Sequence, residues 1–140
     1  GGPLRPVTPE GVGFARLLGA TAMSPDGKWM IGAGTGLTLY PLAGGFARQL
    51  PYAHLSEFPM GWSRDSKELY LASPRSGVFP LKVSRIDLAT GKRTPSLESR
   101  GPQDLAGAVL GPAILGADGR TYVYAYVRFL DDLYLARGLR

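Results

Sequence analysis

The sequence predicts an all-β protein built from three copies of one four-stranded antiparallel unit. Three observations predict it: a motif that occurs three times, turn residues between short apolar runs, and a two-residue alternation in the last of these runs. The 140 residues include 20 glycines and 12 prolines spread along the chain, which is typical of many turns. A hydrophobic fraction of 44% and a charged fraction of 19% indicate a folded chain.

The repeated motif reads apolar, small, any residue, Asp, small, basic, and then a β-rich run. It begins at Met23, at Trp62 and at Leu115. Its aspartates are residues 26, 65 and 118, which are 39 and then 53 residues apart, and a four-stranded repeat unit takes ~40 to 45 residues. Asp followed by Gly or Ser between two β-rich runs favours a tight hairpin, because these residues tolerate positive φ. Each motif therefore predicts a hairpin tip.

Predicted strands follow each tip, and glycine turns separate most of them. The strands directly after the tips cover residues 29–33, 68–72 and 121–127. The next strands cover residues 37–42, 82–88 and 132–136. The outer strands cover residues 46–50 and 93–97. In the run 121–127, tyrosines at every second position alternate with Val123, Ala125 and Val127, as the period of a strand requires. Closely spaced glycines such as those in the run 32–36 can form a phosphate-binding loop, but such a loop is followed by a helix whose N-terminus contacts the phosphate. No helix is predicted after this run, so it is predicted to be a hairpin.

The N-terminal residues resemble an outer strand that has lost its unit. Residues 1–8 (GGPLRPVT) are similar to residues 44–51 (GGFARQLP). We therefore expect 1–9 to be a closing outer strand, followed by units at 20–51, 58–97 and 109–140, the last without its outer strand. Pairing of the N-terminal strand onto the last unit, in the same chain or in a partner, would remove exposed sheet edges.

The motif resembles the WD40-like, TolB-type (PD40) β-propeller repeat, in which a Ser-Pro-Asp-Gly-Lys hairpin joins the first two strands of each blade. The first copy matches this pattern fully, the second has Ser66 in place of glycine, and the third has Gly116-Ala117 in place of Ser-Pro. The ending 131–140 is similar to the C-terminus of propellers in soil-bacterial multidomain signalling proteins. The resemblance implies a β-propeller, and no kinase signature accompanies it.

Three blades leave apolar faces open, because closed propellers have four to eight blades. Each apolar side chain left in water forgoes about 1.5 to 3 kcal/mol. We therefore expect association, with a two-fold homodimer that forms a six-bladed ring as the simplest closed arrangement. The alternative is that the chain is a fragment of a larger propeller that gates a hydrolase or peptidase domain elsewhere.

The sequence contains no arrangement of residues that is typical of a catalytic site. The chain has no cysteine, which excludes disulfides, thiolate metal sites and a cysteine nucleophile. Asp131 and Asp132 are neighbours on a predicted strand, so their side chains point to opposite faces. His54 is the one histidine, and the segment around Ser63 lacks the closing glycine of a nucleophile elbow. We predict no enzyme activity, no cofactor and no metal.

The charge and the hydropathy of the sequence argue against nucleic acids and membranes as partners. The net charge of +5 comes from basic residues that are scattered singly without interleaved aromatics, so nucleic-acid binding is not predicted. Apolar runs are broken by glycine and proline and fall short of the ~20 residues of a membrane span, so no membrane insertion is predicted. The sequence does not indicate a compartment.

The loops on one face of the ring are predicted to carry a non-catalytic function. A mostly basic set of loop residues could receive an acidic peptide, another protein or a small carboxylated ligand. This set is Arg16, His54, Glu57, Arg75, Arg100 and Arg128. The sequence thus predicts an interaction, ligand-binding or sensor scaffold. A propeller glycosidase or lyase is the third alternative, and it would need converging carboxylates or metal ligands.

Overall fold

The computed structural model describes residues 3–12, 23–33, 36–51, 53, 57–73, 81–99 and 108–128. These residues form nine strands in three antiparallel sheets, and none of them lies in a helix. The first sheet contains β1 (Trp29–Ala33), β2 (Leu37–Pro41) and β3 (Arg48–Gln49), the second contains β4 (Phe58–Trp62), β5 (Glu68–Ser73), β6 (Leu81–Asp87) and β7 (Arg93–Ser99), and the third contains β8 (Ala108–Leu115) and β9 (Tyr122–Arg128). Within these ranges, no helix long and apolar enough to cross a membrane is found.

The second sheet is a complete four-stranded unit with its strands in chain order. Its strands agree with the predicted runs 68–72, 82–88 and 93–97 to within one or two residues. β4 carries a bulge between Pro59 and Gly61, and the pairing of β6 with β7 shifts between Val83 and Ser84. Both irregularities re-aim the strand locally and increase its twist.

The first sheet has three strands in the order β1, β2, β3. Ala33 pairs with Leu37, so a hairpin joins β1 to β2 at the glycine-rich run, as predicted. An isolated bridge joins Met23 to Met30, at the position of a fourth, inner strand. β3 is shorter than the predicted 46–50, and its two residues, Arg48 and Gln49, pair with Leu39 and Thr38 of β2.

The third sheet pairs β8 with β9, and the predicted strand 132–136 lies outside the described residues. Residues 3–9, the described part of the predicted closing strand, pair with no strand among the described residues. An outer strand pairs only where an adjacent strand edge is available, so the closing strand at 1–9 stays a prediction. Arg5 lies instead against the first sheet, where its Nη2 donates to the carbonyl of Leu42.

The three predicted hairpin tips share one backbone conformation. Gly27, Ser66 and Gly119 occupy equivalent positions with φ of 68°, 60° and 66°, the left-handed region that a tight turn requires. In each tip, the N–H of this residue donates to the carbonyl three residues earlier, at 2.9 to 3.0 Å. The repeated motif therefore codes for one repeated structure, as predicted.

Two apolar clusters hold the three sheets face to face. The cluster between the first and second sheets contains Ile31, Leu37, Leu39, Leu50, Trp62, Leu69, Leu71, Ile86 and Leu88. The cluster between the second and third sheets contains Phe58, Met60, Tyr70, Ala72, Leu81, Val83, Ala113 and Leu115, with Tyr122 and Tyr124 at its border. Alternate residues of β5 enter opposite clusters, as the two-residue period requires. The second sheet is therefore covered on both faces.

A matched pair of glycines tests how tightly the sheets approach one another. An added Cβ at Gly119 would lie 2.5 Å from the Tyr70 hydroxyl, whereas one at Gly27 would meet nothing within 4 Å. Alanine at either site carries the same backbone strain of about 1 to 2 kcal/mol. Gly119→Ala should therefore destabilise the chain by about 1 to 3 kcal/mol more than Gly27→Ala, because it also overpacks the interface. Urea unfolding of both variants measures the difference, and equal losses would contradict this packing.

Candidate functional site

The predicted ligand-binding set is only partly within the described residues. Arg16, His54, Arg75 and Arg100 lie outside them. Arg128 is the last residue of β9, and Glu57 immediately precedes β4. The grouping of these six side chains on one face of a ring therefore stays a prediction.

Glu57 lies in the interior and pairs with Arg93. Its side chain is 4% exposed, and its two carboxylate oxygens accept from the two terminal nitrogens of the Arg93 guanidinium, one of them at 2.9 Å. These hydrogen bonds raise the pKa of Arg93, and burial opposes the shift. A bidentate ion pair of this kind has charge-assisted hydrogen bonds, and it fixes the orientation of the two side chains. It ties the segment before β4 to the outer strand β7, a role that the sequence pattern does not reveal.

Hydrogen-bonded aspartates stabilise the turns of the first two hairpin tips. In the first two tips, a serine Oγ donates to the aspartate Oδ1 at 2.6 and 2.7 Å, and a backbone N–H two residues beyond the aspartate donates to the same oxygen. These bonds lower the pKa of Asp26 and of Asp65. The carboxylates therefore act as turn caps, and each is followed two residues later by a basic side chain.

Neighbouring tips are also joined to one another. The N–H of Asp26 donates to the Oγ of Ser66 at 3.0 Å, and Ser66 is buried. Ser66 is the one non-glycine residue with positive φ among the described residues. Its hydroxyl therefore gives the second tip a contact with the first tip that a glycine at this position could not make.

Two arginines make the same contact at two successive sheets. Arg48, in the outer strand β3 of the first sheet, donates through Nη2 to the carbonyl of Leu88, beyond β6 of the second sheet. Arg5 donates through Nη2 to the carbonyl of Leu42, just beyond β2 of the first sheet. Because residues 1–8 resemble residues 44–51, these two arginines occupy matching positions in the repeat. The N-terminal segment thus contacts the first sheet as β3 contacts the second.

The outward face of the third sheet exposes apolar side chains. Val123 corresponds to Ile31 and Tyr70 in the repeat; it is 70% exposed, whereas they are 0% and 4% exposed. Val123 pairs directly with Ile114, and Val127 lies four residues further along the same face. Both of these side chains are also exposed. We call this surface, formed by Ile114, Val123, Ala125 and Val127, the open face.

The described part of the chain contains an open groove but no cluster of potential metal ligands. Within the described ranges, no group of three or more His, Asp or Glu side chains could hold a metal. An open groove of about 320 Å³ runs along the outer two strands of the second sheet, between residues 82–84 and 95–98. Lys82 and Glu98 pair across the two strands that form it. The groove is lined by both polar and apolar residues, and Glu98 is the one carboxylate among them.

Comparison with solved structures establishes the fold. The chain is similar to TolB from Acinetobacter baumannii, with 21% sequence identity over 75% of this chain and 31% of that chain and a TM-score of 0.44. It is also similar to a protein described as TolB from Agrobacterium tumefaciens, with 19% identity over 80% of this chain and 46% of that chain and a TM-score of 0.50. The sheets are β-propeller blades. This confirms the predicted fold class, and the resemblance of the repeat to the TolB-type propeller is confirmed at the level of the fold.

The chain spans less than half the length of the TolB structures that it matches. No protein-family model matches the chain, and no curated protein matches it. The likeness to solved structures therefore concerns the arrangement of blades alone.

The sequence predicted apolar end faces without naming the residues of the open face, and it did not reveal the arginine contacts or the Glu57–Arg93 pair. The open face was detectable in part, because Val123, Ala125 and Val127 alternate with the three tyrosines. The arginine contacts were detectable from the similarity of 1–8 to 44–51. The ion pair has no signal in the sequence, since its partners are 36 residues apart and belong to no repeated motif.

The third tip gives a measurable prediction of pH dependence. Hydrogen bonds to Asp118 from the N–H of Arg120, the N–H of Thr121 and the Thr121 hydroxyl lower its pKa to about 2. A carboxyl group with a lowered pKa in the folded state stabilises the fold above its unfolded pKa, near 3.8, and this contribution is lost as the pH falls towards 2. Thr121→Val should raise the pKa of Asp118 part of the way to 3.8, because the two backbone donors remain.

Titration of the aspartate carboxyl carbons by NMR measures this shift. The pKa of Asp26, which depends on Ser24 rather than on Thr121, serves as the internal control and should not move. A wild-type Asp118 that titrates near 3.8 would show that the hydrogen bonds in this tip do not form in solution.

Proposed function

We propose that this chain is a non-catalytic interaction module, and that it forms one half of a six-bladed propeller closed by two copies. The observation that carries the proposal is the exposure of Val123 at a repeat position that is buried in the two preceding blades. An apolar face of this kind marks a surface that another protein element covers.

Closure by two copies follows from the number of blades. Each of the described sheets is a blade or part of one, and closed rings have four to eight blades. Two copies of three blades make six, and a two-fold axis then creates two identical interfaces between the last blade of one copy and the first blade of the other. No other copy number of three-bladed chains gives a ring within this range of blades.

A larger propeller is the second candidate, and one observation favours it. The chain covers only 31% and 46% of the TolB chains that it resembles, so further blades in the same polypeptide would cover the open face equally well. In that case, the ring would belong to a longer protein, and gating of a hydrolase or peptidase domain would be one of its roles.

The solution mass of the chain distinguishes these candidates. Light scattering across a hundredfold range of concentration should give about twice the 14.9 kDa of one chain. The apolar faces should drive this association, at about 25 cal/mol per Å² of buried apolar area. A chain that stays monomeric, or that aggregates without a defined mass, would favour the larger propeller.

The predicted ligand site needs a separate test, with a fluorescein-labelled oligoglutamate peptide as the probe of an acidic partner. Arg75→Ala and Arg128→Ala should each weaken binding of this probe by about threefold, because each removes one charge pair with the peptide. Arg64→Ala removes the same charge from an exposed hairpin tip and should leave the binding unchanged. Equal effects of all three substitutions would indicate attraction by net charge alone, without a site.

A further inference from the structure

We propose that the first hairpin tip is a site of covalent modification, at which Asp26 isomerises to isoaspartate through attack by the nitrogen of Gly27. The equivalent Asp118–Gly119 bond of the third tip is its protected counterpart. These two tips place a glycine directly after the aspartate, whereas the second tip has a serine there. The inference concerns the chemistry of the tips and does not depend on the proposed ring.

The reaction needs the aspartate, the next residue and water. The backbone nitrogen of Gly27 forms a bond to Cγ of Asp26, while the amide gives up its proton and the protonated carboxyl group its hydroxyl, which leave together as water. Glycine favours this step because it has no Cβ to obstruct the approach. Water then opens the five-membered succinimide. Breaking the new bond restores aspartate, and breaking the original peptide bond gives isoaspartate.

Both tips restrain the attacking nitrogen to the same degree. The N–H of Gly27 donates to the carbonyl three residues earlier, and so does the N–H of Gly119, each at 2.9 Å. The two glycines also have nearly the same positive φ, 68° and 66°. The difference between the tips therefore lies in how each carboxyl group is held and in the space around each glycine.

The carboxyl group of Asp118 is held through both of its oxygens. Oδ1 accepts from the N–H of Arg120 and the N–H of Thr121, both at 2.9 Å, and Oδ2 accepts from the Thr121 hydroxyl at 2.7 Å. To reach the nitrogen of Gly119, Cγ has to turn away from these three donors. Hydrogen bonds to a charged group are among the stronger ones in proteins, so they oppose the attack.

The carboxyl group of Asp26 is held through fewer hydrogen bonds. Its Oδ1 accepts from the Ser24 hydroxyl at 2.6 Å and from the N–H of Lys28 at 3.1 Å. Its Oδ2 lies 3.7 Å from the ammonium nitrogen of Lys28, whose side chain is 75% exposed, and water screens an ion pair of this kind. Two hydrogen bonds therefore restrain this carboxyl group, against three in the third tip.

The neighbouring blade encloses the third tip but not the first. A Cβ added to Gly119 would lie 2.5 Å from the Tyr70 hydroxyl, and the ring of Tyr70 stands directly behind it. Around the same position on Gly27, no atom beyond its immediate chain neighbours lies within 4 Å. Local opening needs least free energy where few contacts hold a turn. The first tip can thus reach the geometry of attack without displacing another strand.

Isomerisation at Asp26 would loosen the contact between the first two blades. The N–H of Asp26 donates to Oγ of Ser66 at 3.0 Å, and this bond depends on the shape of the turn. In isoaspartate, the chain gains one methylene group before Gly27, and the former side-chain carboxyl carbon becomes part of the backbone. The turn then loses its carboxylate cap and its fit to Ser66.

Ageing of the folded protein at neutral pH tests the proposal. Trypsin places the two bonds in separate peptides, residues 17–28 and 101–120, and liquid chromatography with mass spectrometry separates each isoaspartyl peptide from its aspartyl form of equal mass. Isoaspartate should accumulate about tenfold faster at Asp26 than at Asp118, because the third tip has one more hydrogen bond to a charged group. Equal rates, a faster reaction at Asp118, or no isoaspartate at Asp26 would each overturn the proposal.

The chain unfolded in guanidinium chloride separates the effect of structure from the effect of sequence. Neither tip is formed there, so the two bonds should isomerise at similar rates, and both rates should exceed those of the folded protein. The same ratio between the two sites in the unfolded and the folded chain would assign the difference to the neighbouring residues, and would overturn the structural account.

Ser24→Ala tests the role of the hydrogen bond to Asp26. It removes the donor to Oδ1 and should accelerate isomerisation at Asp26 by about tenfold. Ser63→Ala removes the equivalent hydroxyl from the second tip and should leave the rate at Asp26 unchanged. Equal acceleration by the two variants would show that general destabilisation, and not this bond, sets the rate. The wild-type comparison decides the proposal without either variant, should Ser24→Ala fail to fold by circular dichroism.

Discussion

The structure depends on the burial of apolar sheet faces between neighbouring blades. β5 illustrates this constraint, because Leu69 and Leu71 enter the cluster on one side of the sheet while Tyr70 and Ala72 enter the cluster on the other. A strand with apolar residues on both faces is stable only between two neighbours, since each buried side chain contributes about 1.5 to 3 kcal/mol. The second blade has two neighbours. The first and third blades lack one each within the described residues.

Polar contacts at the rim determine how neighbouring blades are placed, while the apolar clusters supply most of the stabilisation. The N–H of Asp26 binds Ser66 in the next tip, and Ser96 donates to the carbonyl of Gly119 at 3.3 Å. Each such bond contributes only about 0.5 to 1.5 kcal/mol. A hydrogen bond is directional, however, and the apolar contact between two sheets is not. A directional bond at each of the two interfaces between blades therefore favours particular angles between the blades among those that packing alone would accept.

Local patterns made most of this fold predictable. A period of two residues and the Asp-Gly turns are local signals, and they located the strands of the second blade and all three tips. Long-range features were not predictable: the pairing of Glu57 with Arg93 and the exposure of Val123 depend on which sheets lie together. Residues 3–9 show the limit most clearly, since they read as an outer strand, yet a strand forms only where an edge is available for pairing. Of the ligand-binding set, four members lie outside the described residues.

The departures from the repeat pattern reflect the neighbour of each tip. Ser66 replaces glycine at a positive φ, which costs about 1 to 2 kcal/mol, and its bond with the N–H of Asp26 offsets much of that cost. Gly119 has the same φ, but a side chain there would collide with the Tyr70 ring. The second tip can therefore gain from a hydroxyl where the third cannot accept even a methyl group. The departure from the repeat at Ser66 is thus evidence of a contact between blades, because the residue that breaks the pattern there is the one that bonds to the preceding tip.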